Sequence, residues 1–506
     1  MKKIGTCLSL AIALASLSAA CTISGKDEGA PAPAGGSENA PPGTPAATPA
    51  PGASNDPTAP APTPSPGKAI VRVVHGSPDA PAVDVYVKGN DMPIVTGLAY
   101  GQTSTWLEVP PASYEFELRA SPSKPTDPIA YKTSALTIPE GAKITAIAAG
   151  LLGSNDADSA FRVLPIVESW AAATPETARV RVIHAGSDAP TVGIDVGNDD
   201  PSKPEVPSLA RFADTGGDGI SLPAETALWV GVDAGGDRVT SFTTPKLPGG
   251  ADVMVIATGL LGKLGRETAG FALLAVGPNG SLGFIKQDPV VYALHASPDA
   301  PTVDAYAGEA EILDGISFGN LRGPFQLQPG TYALDFYAHG TNGTRPAGAP
   351  AASGSTGALA AGERYLTIAT GFLANKSFEL ESYRDGFSLD QSKPQLRAVH
   401  SSPDAPMVDI GVASSTLIDP ILFGGLSFGM SSSEGGLAAS AGTYPVGVAP
   451  AGQDGTIVAK FTVPAATDQR AFVIAAGALD PKKGQPFRLA VVDTTPWPWS
   501  VTHIFH

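Results

Sequence analysis

The sequence predicts an all-β fold: four tandem Ig-like, antiparallel β-sandwich domains that follow a signal peptide and a disordered linker rich in Pro and Ala. Glycine and proline, 58 and 49 of 506 residues, are too frequent for long helices, because each ends or destabilises a helix. Apolar and polar residues alternate over short runs, as they do in strands. A sequence unit of about 100 residues, typical of one β-sandwich domain, occurs four times.

The first residues have the pattern of a signal peptide, which we place at residues 1–20. Lys2 and Lys3 give a basic start, and an apolar stretch too short to span a membrane follows. Small residues then lead to Cys21. This arrangement resembles a bacterial lipoprotein signal, which implies a covalent lipid on Cys21. Ordinary signal-peptidase cleavage after Ala20 is the alternative.

The cysteine count favours the lipid anchor. Cys7 lies inside the predicted signal, so the exported chain keeps only Cys21 and has no partner for an intramolecular disulfide. The next residue is Thr22, and the resemblance to lipoproteins implies outer-membrane sorting when no Asp stands there. We therefore expect an exported protein, lipid-anchored in the outer membrane, that faces the periplasm or the cell surface.

Residues 21–68 are predicted to be the lipid anchor and a linker. From residue 24 to 69 the chain has no Val, Ile, Leu, Met or aromatic residue, so this segment lacks the apolar surface needed for a packed core. Its many prolines favour extended conformations. The linker would hold the folded domains away from the membrane.

Two landmarks in constant register define the four repeats, named here units 1 to 4. The first is the segment VRVVHGSPDAP in unit 1, whose histidine recurs at intervals of 105 to 111 residues. The second is an apolar strand that ends in Gly, 75 to 77 residues after each histidine. Such regular spacing indicates internal duplication of an independent domain. The predicted boundaries are 69–170, 176–282, 288–390 and 394–497.

The first strand of each unit alternates in polarity. Val71 and Val73 are apolar, as are their counterparts, whereas Arg72 and its counterparts are mostly basic. This pattern predicts a half-buried strand with the Arg72 side facing solvent. The same parity places His75 on the core side. The following Ser-Pro-Asp-Ala-Pro segment is predicted to be a turn.

The repeated strings resemble the family of the domain of unknown function 4397. They are His-x-Ser-Pro-Asp-Ala-Pro-x-Val-Asp, Gly-Leu-x-Phe/Tyr-Gly and Pro-x-Gly-Thr-Tyr. The resemblance covers residues 69 to about 495 and implies an exported bacterial protein with tandem domains. It implies no chemistry. Unit 2 departs from the pattern at Gly186, Ser187 and Gly193.

The His and Asp of this turn are the candidate site residues, because both occur in every unit. A structural role, in which a buried histidine bonds the turn backbone, is the simplest hypothesis. Metal or ligand binding and catalysis are the alternatives, although two ligands per unit fall short of the usual three or four. The sequence alone does not decide whether these residues bind a metal. The residues are His75, Asp79, His184, Asp188, His295, Asp299, His400 and Asp404.

Two further motifs are weaker. The segments around Ser317 and Ser427 match the G-x-S-x-G nucleophile motif of hydrolases, but no helical pattern follows either one. Unit 1 has Ala99 at the serine position, so we expect no catalysis there. Acidic loops at Asp199-Asp200 and at Asp214 and Asp218 lack the spacing of a calcium-binding loop.

We therefore predict a non-enzymatic, lipid-anchored cell-envelope protein that serves in binding, adhesion or structural display. The alternative is a metal-dependent carbohydrate-binding protein or hydrolase that uses the His/Asp turn. The expected partners are the membrane, through the lipid, and an envelope polymer, a glycan or another surface protein. The net charge of −16 argues against nucleic acid. No cofactor is expected besides the lipid.

Overall fold

The computed structural model describes residues 56–172, 174–340 and 343–506. The predicted signal peptide, Cys21 and residues 22–55 of the linker lie outside these residues. Residues 56–68 have no regular secondary structure, and the Ser65 hydroxyl donates a hydrogen bond to the Glu108 carboxylate. Strands dominate the described residues, with one short 3-10 helix at Pro481–Lys483. The predicted all-β class is confirmed.

None of the helices in these described ranges has the length and apolarity needed to cross a membrane.

Unit 1 is a sandwich of two four-stranded sheets. Its strands are β1 (Ala69–His75), β2 (Val83–Val87), β3 (Pro93–Leu98), β4 (Leu107–Val109), β5 (Ala112–Tyr114), β6 (Phe116–Ala120), β7 (Tyr131–Lys132), β8 (Leu136–Ile138), β9 (Lys143–Ala149) and β10 (Arg162–Val167). The strand orders are β10-β9-β1-β4 and β3-β2-β6-β7, and β5 and β8 form a separate two-stranded antiparallel sheet. The central pair β1–β9 is parallel and its neighbours are antiparallel.

Unit 2 repeats this architecture with one added strand. Its strands are β11 (Thr177–His184), β12 (Val192–Val196), β13 (Val206–Leu209), β14 (Ile220–Pro223), β15 (Trp229–Ala234), β16 (Asp237–Thr243), β17 (Asp252–Thr258), β18 (Ala272–Gly277) and β19 (Gly280–Lys286). The orders are β14-β11-β17-β18-β19 and β13-β12-β15-β16. The added strand β19 extends past the predicted end of this unit at residue 282.

Unit 3 has eight strands. They are β20 (Val290–His295), β21 (Val303–Ala307), β22 (Ala310–Ile316), β23 (Leu321–Gln326), β24 (Gly330–Ala338), β25 (Ala352–Leu359), β26 (Arg364–Thr370) and β27 (Glu379–Arg384). The orders are β23-β20-β26-β27 and β22-β21-β24-β25.

Unit 4 has an added last strand, as unit 2 does. Its strands are β28 (Gln395–Ser401), β29 (Val408–Ala413), β30 (Ile418–Leu426), β31 (Leu437–Ala438), β32 (Gly442–Pro450), β33 (Ala459–Ala465), β34 (Arg470–Ala476), β35 (Arg488–Asp493) and β36 (Ser500–Ile504). The orders are β31-β28-β34-β35-β36 and β30-β29-β32-β33. The added strand β36 lies beyond the predicted end at residue 497.

Each unit has its own core between its two sheets. In unit 1, Val83 and Val85 of one sheet pack in the same cluster as Ala148 and Val73 of the other. Units 2, 3 and 4 have equivalent clusters. This inward packing follows from the alternation of apolar residues along the strands.

The units also share cores in pairs. Val74 and Ile147 of unit 1 pack with Ile183 and Ile256 of unit 2 in one buried cluster. Unit 3 and unit 4 share a second cluster of the same kind, which contains Leu294, Ile368, Val399 and Ile474. The sheets that hold the repeated first strands therefore lie back to back, and the chain forms two pairs of sandwiches, here called pair 1–2 and pair 3–4.

The prediction of a half-buried first strand is wrong. Arg72 is 1% exposed, and its counterparts Arg181, Tyr292 and Arg397 are also buried. The side predicted to face solvent packs against the neighbouring unit. Arg72 donates a hydrogen bond across this interface to the Gly277 carbonyl, at 2.7 Å. A long polar side chain on that face therefore marks an interface between units, not solvent.

A buried carboxylate joins the two pairs. Asp288 lies between β19 and β20 and accepts hydrogen bonds from Trp229 Nε1, Ser241 Oγ and Thr243 Oγ1 of unit 2, at 2.7–2.8 Å. Gln326 of unit 3 also accepts a bond from the Ser241 backbone N–H. The connection between unit 2 and unit 3 is therefore a packed junction.

Candidate functional site

The four histidines occupy the same position at the end of the first strand, and all are buried. Nε2 of His75 lies 3.0 Å from the Pro81 carbonyl oxygen, six residues along the chain. The other three units have the same contact at 2.8–3.1 Å. Because a carbonyl only accepts, Nε2 must donate, which fixes the Nε2–H tautomer. Each histidine therefore closes the turn that follows it.

The remaining ring nitrogen is buried and, within the described part of the chain, has no hydrogen-bond partner in three of the four units. Nδ1 of His75, His184 and His295 has no hydrogen-bond partner among the described residues, and Nδ1 of His400 accepts a long bond from the Ser402 N–H. Burial lowers the pKa of all four rings below 6.5, and the bond to the proline carbonyl opposes this only in part. The neutral imidazole is thus favoured in the folded protein.

The aspartate of each turn binds the backbone just after the second landmark of its own unit. The two oxygens of Asp79 accept the backbone N–H groups of Leu152 and Gly153, both at 2.9 Å. Asp188, Asp299 and Asp404 make the same pair of bonds at 2.8–3.1 Å. The carboxylate therefore connects two segments about 75 residues apart in sequence, which brings the two landmarks together in every unit.

The serine of the turn strengthens this connection in two units. Ser77 Oγ donates to the carbonyl of Gly150, the last residue of the second landmark, at 2.7 Å. Ser297 makes the equivalent bond to Gly371 at 2.6 Å. In unit 2 the departure from the motif has a structural consequence, because Gly186 stands at the serine position and has no hydroxyl to make this bond.

The residue after each histidine lies at the interface within a pair. A Cβ atom on Gly76 would lie 3.5 Å from Ile147 and 3.9 Å from Ile256 of the neighbouring unit. The Gly76 carbonyl accepts a hydrogen bond from the Thr258 hydroxyl of that unit, at 2.6 Å. The counterparts are Ala185, Ala296 and Ser401, all small and buried. The close approach of two sheets requires small side chains here.

These contacts occupy most of the atoms of the His/Asp turn that could otherwise bind a ligand or a metal. In all four units the histidine Nε2 and both aspartate oxygens are already hydrogen-bonded inside the unit. Beside His400 the open space is only about 20 Å³, lined by apolar groups such as Val448 and Phe487. A space of that size holds about one water molecule and no sugar. The contacts favour the structural hypothesis over a ligand-binding one.

A second set of aspartates, whose role the sequence analysis did not predict, binds the first glycine of the Gly-Leu-x-Phe/Tyr-Gly segment. Asp84 accepts the N–H groups of Gly97 and Ser123, both at 2.8 Å, and Asp304 and Asp409 accept equivalent bonds. Gly97, Gly315 and Gly425, the first donors to these aspartates, have φ near +63°, a conformation that favours glycine. The available signal was the Val-Asp pair that recurs in units 1, 3 and 4.

The G-x-S-x-G segments are turns between strands, and no helix follows. Ser317 Oγ lies 2.8 Å from the Thr302 hydroxyl, with no imidazole bonded to it among the described contacts. In both segments the final glycine, Gly319 or Gly429, donates its N–H to the carbonyl of the unit's histidine, at 2.7 and 2.9 Å. The motif thus has a structural explanation.

The acidic loops of unit 2 are tied to nearby groups. The Asp214 carboxylate pairs with Arg181 at 2.8 Å, and Asp200 pairs with Lys203 at 3.1 Å. The N–H groups of Asp199 and Asp200 both point to the buried Asp195 carboxylate. The structure does not bring Asp199, Asp200, Asp214 and Asp218 together as a metal-ligating group within the residues described.

A cleft of about 140 Å³ lies where units 1 and 2 meet the end of the linker. Residues 57–61 line one side, and Trp170 and Asp252 line another. Its charged wall contains Arg72 and Lys143, which both pair with Glu168 at 2.8 and 3.0 Å. With Asp252 the lining has two cationic and two acidic side chains, so the cleft has no marked preference for a charged ligand.

Two regions of the chain, residues 69–195 and 289–411, match the model of the family described as Domain of unknown function (DUF4397). Each match covers the first unit of a pair and the start of the second. No curated protein matches the chain. Among solved structures, the Bacillus anthracis TIE protein aligns over 81% of this chain and 67% of its own, with 9% identity and a TM-score of 0.14. A likeness that low carries no argument.

Proposed function

We propose that this chain, with its two matches to DUF4397, is a non-enzymatic envelope protein that displays a stiff array of β-sandwiches from a lipid anchor on Cys21. The proposal rests on one observation: the His and Asp of the repeated motif make their hydrogen bonds within their own unit. In every unit the histidine closes its own turn and the aspartate binds the backbone just after the second landmark. Residues used in this way build a scaffold.

The packing between units supports a stiff array. Shared cores join the units within each pair, and the Asp288 junction connects the pairs. Such an array presents its outer sheets and loops at fixed distances, as binding, adhesion or structural display requires. We expect the partner to be an envelope polymer, a glycan or another surface protein, and the charge of −16 disfavours nucleic acid.

Membrane fractionation tests the anchor. Cys21→Ser should move the protein from the membrane pellet to the soluble fraction after a high-salt wash. Cys7→Ser is the matched control, because Cys7 lies inside the predicted signal peptide and its loss should leave the protein in the pellet. Retention of the Cys21→Ser protein in the washed pellet would contradict the anchor.

A binding and activity screen on the purified chain tests the non-enzymatic function. We expect binding to an envelope polymer, glycan or surface protein and no turnover of glycoside or ester substrates. A hydrolase activity that His295→Ala abolishes while the protein keeps its unfolding midpoint would contradict the proposal.

A further inference from the structure

Unit 3 brings three metal-ligating side chains together away from the His/Asp turn. They are Asp304 on β21, Asp314 on β22 and His339 just after β24. The His339 Nδ1 atom lies 2.7 Å from Asp304 Oδ1 and 3.4 Å from Asp314 Oδ1. The three potential ligand atoms all lie within 4.8 Å of one another.

We propose that these residues form a binding site for one divalent transition-metal ion such as Zn²⁺. One imidazole with two carboxylates is a donor set that zinc accepts. Ligand atoms at about 2.1 Å from a zinc ion are roughly 3.0–3.4 Å from one another. The two distances from Nδ1 lie close to that range, and the two carboxylate oxygens lie within 4.8 Å of each other. Rotation of the exposed Asp314 and His339 side chains would bring all three ligand atoms to one ion.

The exposure of the ligands suits a site that is open to water. Asp304 is fully buried, whereas the side chains of His339 and Asp314 are 47% and 76% exposed. Asp304 would therefore bind the ion on its protein side, and water would complete the coordination on the solvent side. Open coordination positions of this kind can also take an oxygen ligand from a partner.

Backbone groups hold the buried ligand in place. The Gly315 N–H donates to Asp304 Oδ1 at 2.8 Å, and the Gly340 N–H donates to Oδ2 at 3.3 Å. Gly315 has φ +62°, and a Cβ there would lie 3.1 Å from the imidazole Cε1. Glycine thus gives the ring room beside the carboxylate. Such outer contacts orient metal ligands in proteins.

Within the part of the chain that the structure describes, the complete set of three ligands occurs in unit 3 alone. Strand register places Thr96 and Ser121 of unit 1 at the positions of Asp314 and His339. The corresponding residues of unit 4 are Gly424 and Ala451. Asp84 and Asp409 match Asp304, so the shared aspartate keeps its structural bonds in units that lack the other two ligands. We therefore expect one ion per chain.

The local charge favours a cation. Glu311 adds a third carboxylate whose charge acts on His339, together with those of Asp304 and Asp314. Without metal, the imidazole pairs with Asp304. A bound metal would occupy the Nδ1 lone pair beside Asp304, and the ring proton of the neutral imidazole would then lie on Nε2. If His339 and Asp304 form only an ion pair, no saturable metal binding is expected, and this difference distinguishes an ion pair from a metal site.

Calorimetric titration of Zn²⁺ into the metal-stripped full chain, purified without a polyhistidine tag, tests the proposal. We expect one Zn²⁺ per chain. His339→Ala and Asp314→Asn should each weaken binding about tenfold or more. Because both side chains are exposed, the variants should keep the circular dichroism spectrum of the unchanged protein.

The matched control is His506→Ala, which removes another exposed histidine and should leave the affinity unchanged. Co²⁺ in place of Zn²⁺ should give visible absorption bands that His339→Ala removes. Absence of stoichiometric binding, or binding that both His339→Ala and Asp314→Asn leave unchanged, would overturn the proposal.

Discussion

Tyr292 and Trp499, 207 residues apart in the chain, stack with their ring centroids 4.3 Å apart and their planes 6° from parallel. The Trp499 N–H also donates a hydrogen bond to the Tyr292 hydroxyl oxygen, at 3.1 Å. Tyr292 comes from the first strand of unit 3, whereas Trp499 directly precedes β36 of unit 4. The contact therefore joins two repeats through the strand face that the sequence pattern assigned to solvent.

Replacing Trp499 should destabilise pair 3–4. Trp499 is 5% exposed, so Trp499→Ala would leave a large cavity against Tyr292 and Phe472. We expect a loss of about 3–5 kcal/mol in the free energy of unfolding of that pair, measured by urea titration. The matched control is Trp497→Ala, since Trp497 is nearby but 60% exposed, and its loss should cost far less. Equal effects of the two substitutions would contradict the shared core.

The aspartate of the turn should contribute to stability without binding a ligand. Asp79→Asn keeps the size of the side chain but replaces one acceptor oxygen with an NH₂ group, which cannot accept the second backbone N–H. We expect a loss of about 1–3 kcal/mol in pair 1–2. Asp91→Asn, in an exposed loop of the same unit, serves as the control and should have almost no effect. An unchanged urea midpoint for Asp79→Asn would count against the structural hypothesis.

The pattern of strands and the sandwich class could be predicted from sequence because they depend on local alternation and on the spacing of the two landmarks. The pairing of units could not be read from Arg72, because an arginine in an alternating strand normally indicates solvent. A signal for pairing was nevertheless present on the same strand face. The position of Val74 is apolar in all four units, as Val, Ile, Leu and Val in order. The continuous apolar character of β9 and its counterparts was a second one, as strands buried on both faces lack alternation.

The site residues show the same limit. His75 and Asp79 could be identified from their repetition, but their partners lie in segments that only the fold brings near. The cluster of Asp304, Asp314 and His339 left no sequence signal, because its members come from three different strands or strand ends of unit 3 and do not recur as a set.

The four buried histidines should make the fold sensitive to acid. Burial lowers the pKa of His75, His184, His295 and His400 below the 6.5 expected in the unfolded chain. Below pH 6.5 the unfolded chain therefore binds more protons than the folded one, and the free energy of unfolding should fall as the pH decreases towards the folded-state pKa values. Above pH 6.5 this contribution is fully present.

Histidine-selective NMR titration measures this directly. The four ring resonances should titrate below pH 6.5 in the folded protein and near 6.5 in urea. Urea midpoints should decrease in parallel between pH 7 and pH 5. Folded-state titration of these four rings at or above pH 6.5 would show that they are not buried as neutral groups.

The most direct test of the paired architecture compares the urea unfolding of residues 69–286 with that of residues 69–170. Alone, unit 1 would expose Val74, Ile147 and Ile166 of the shared core, together with the buried Arg72. We predict that residues 69–286 unfold in one cooperative transition, whereas residues 69–170 bind a hydrophobic dye and unfold at a clearly lower urea concentration or are unfolded in buffer. The same midpoint for both, with no dye binding by the single unit, would contradict the account and show four independent domains.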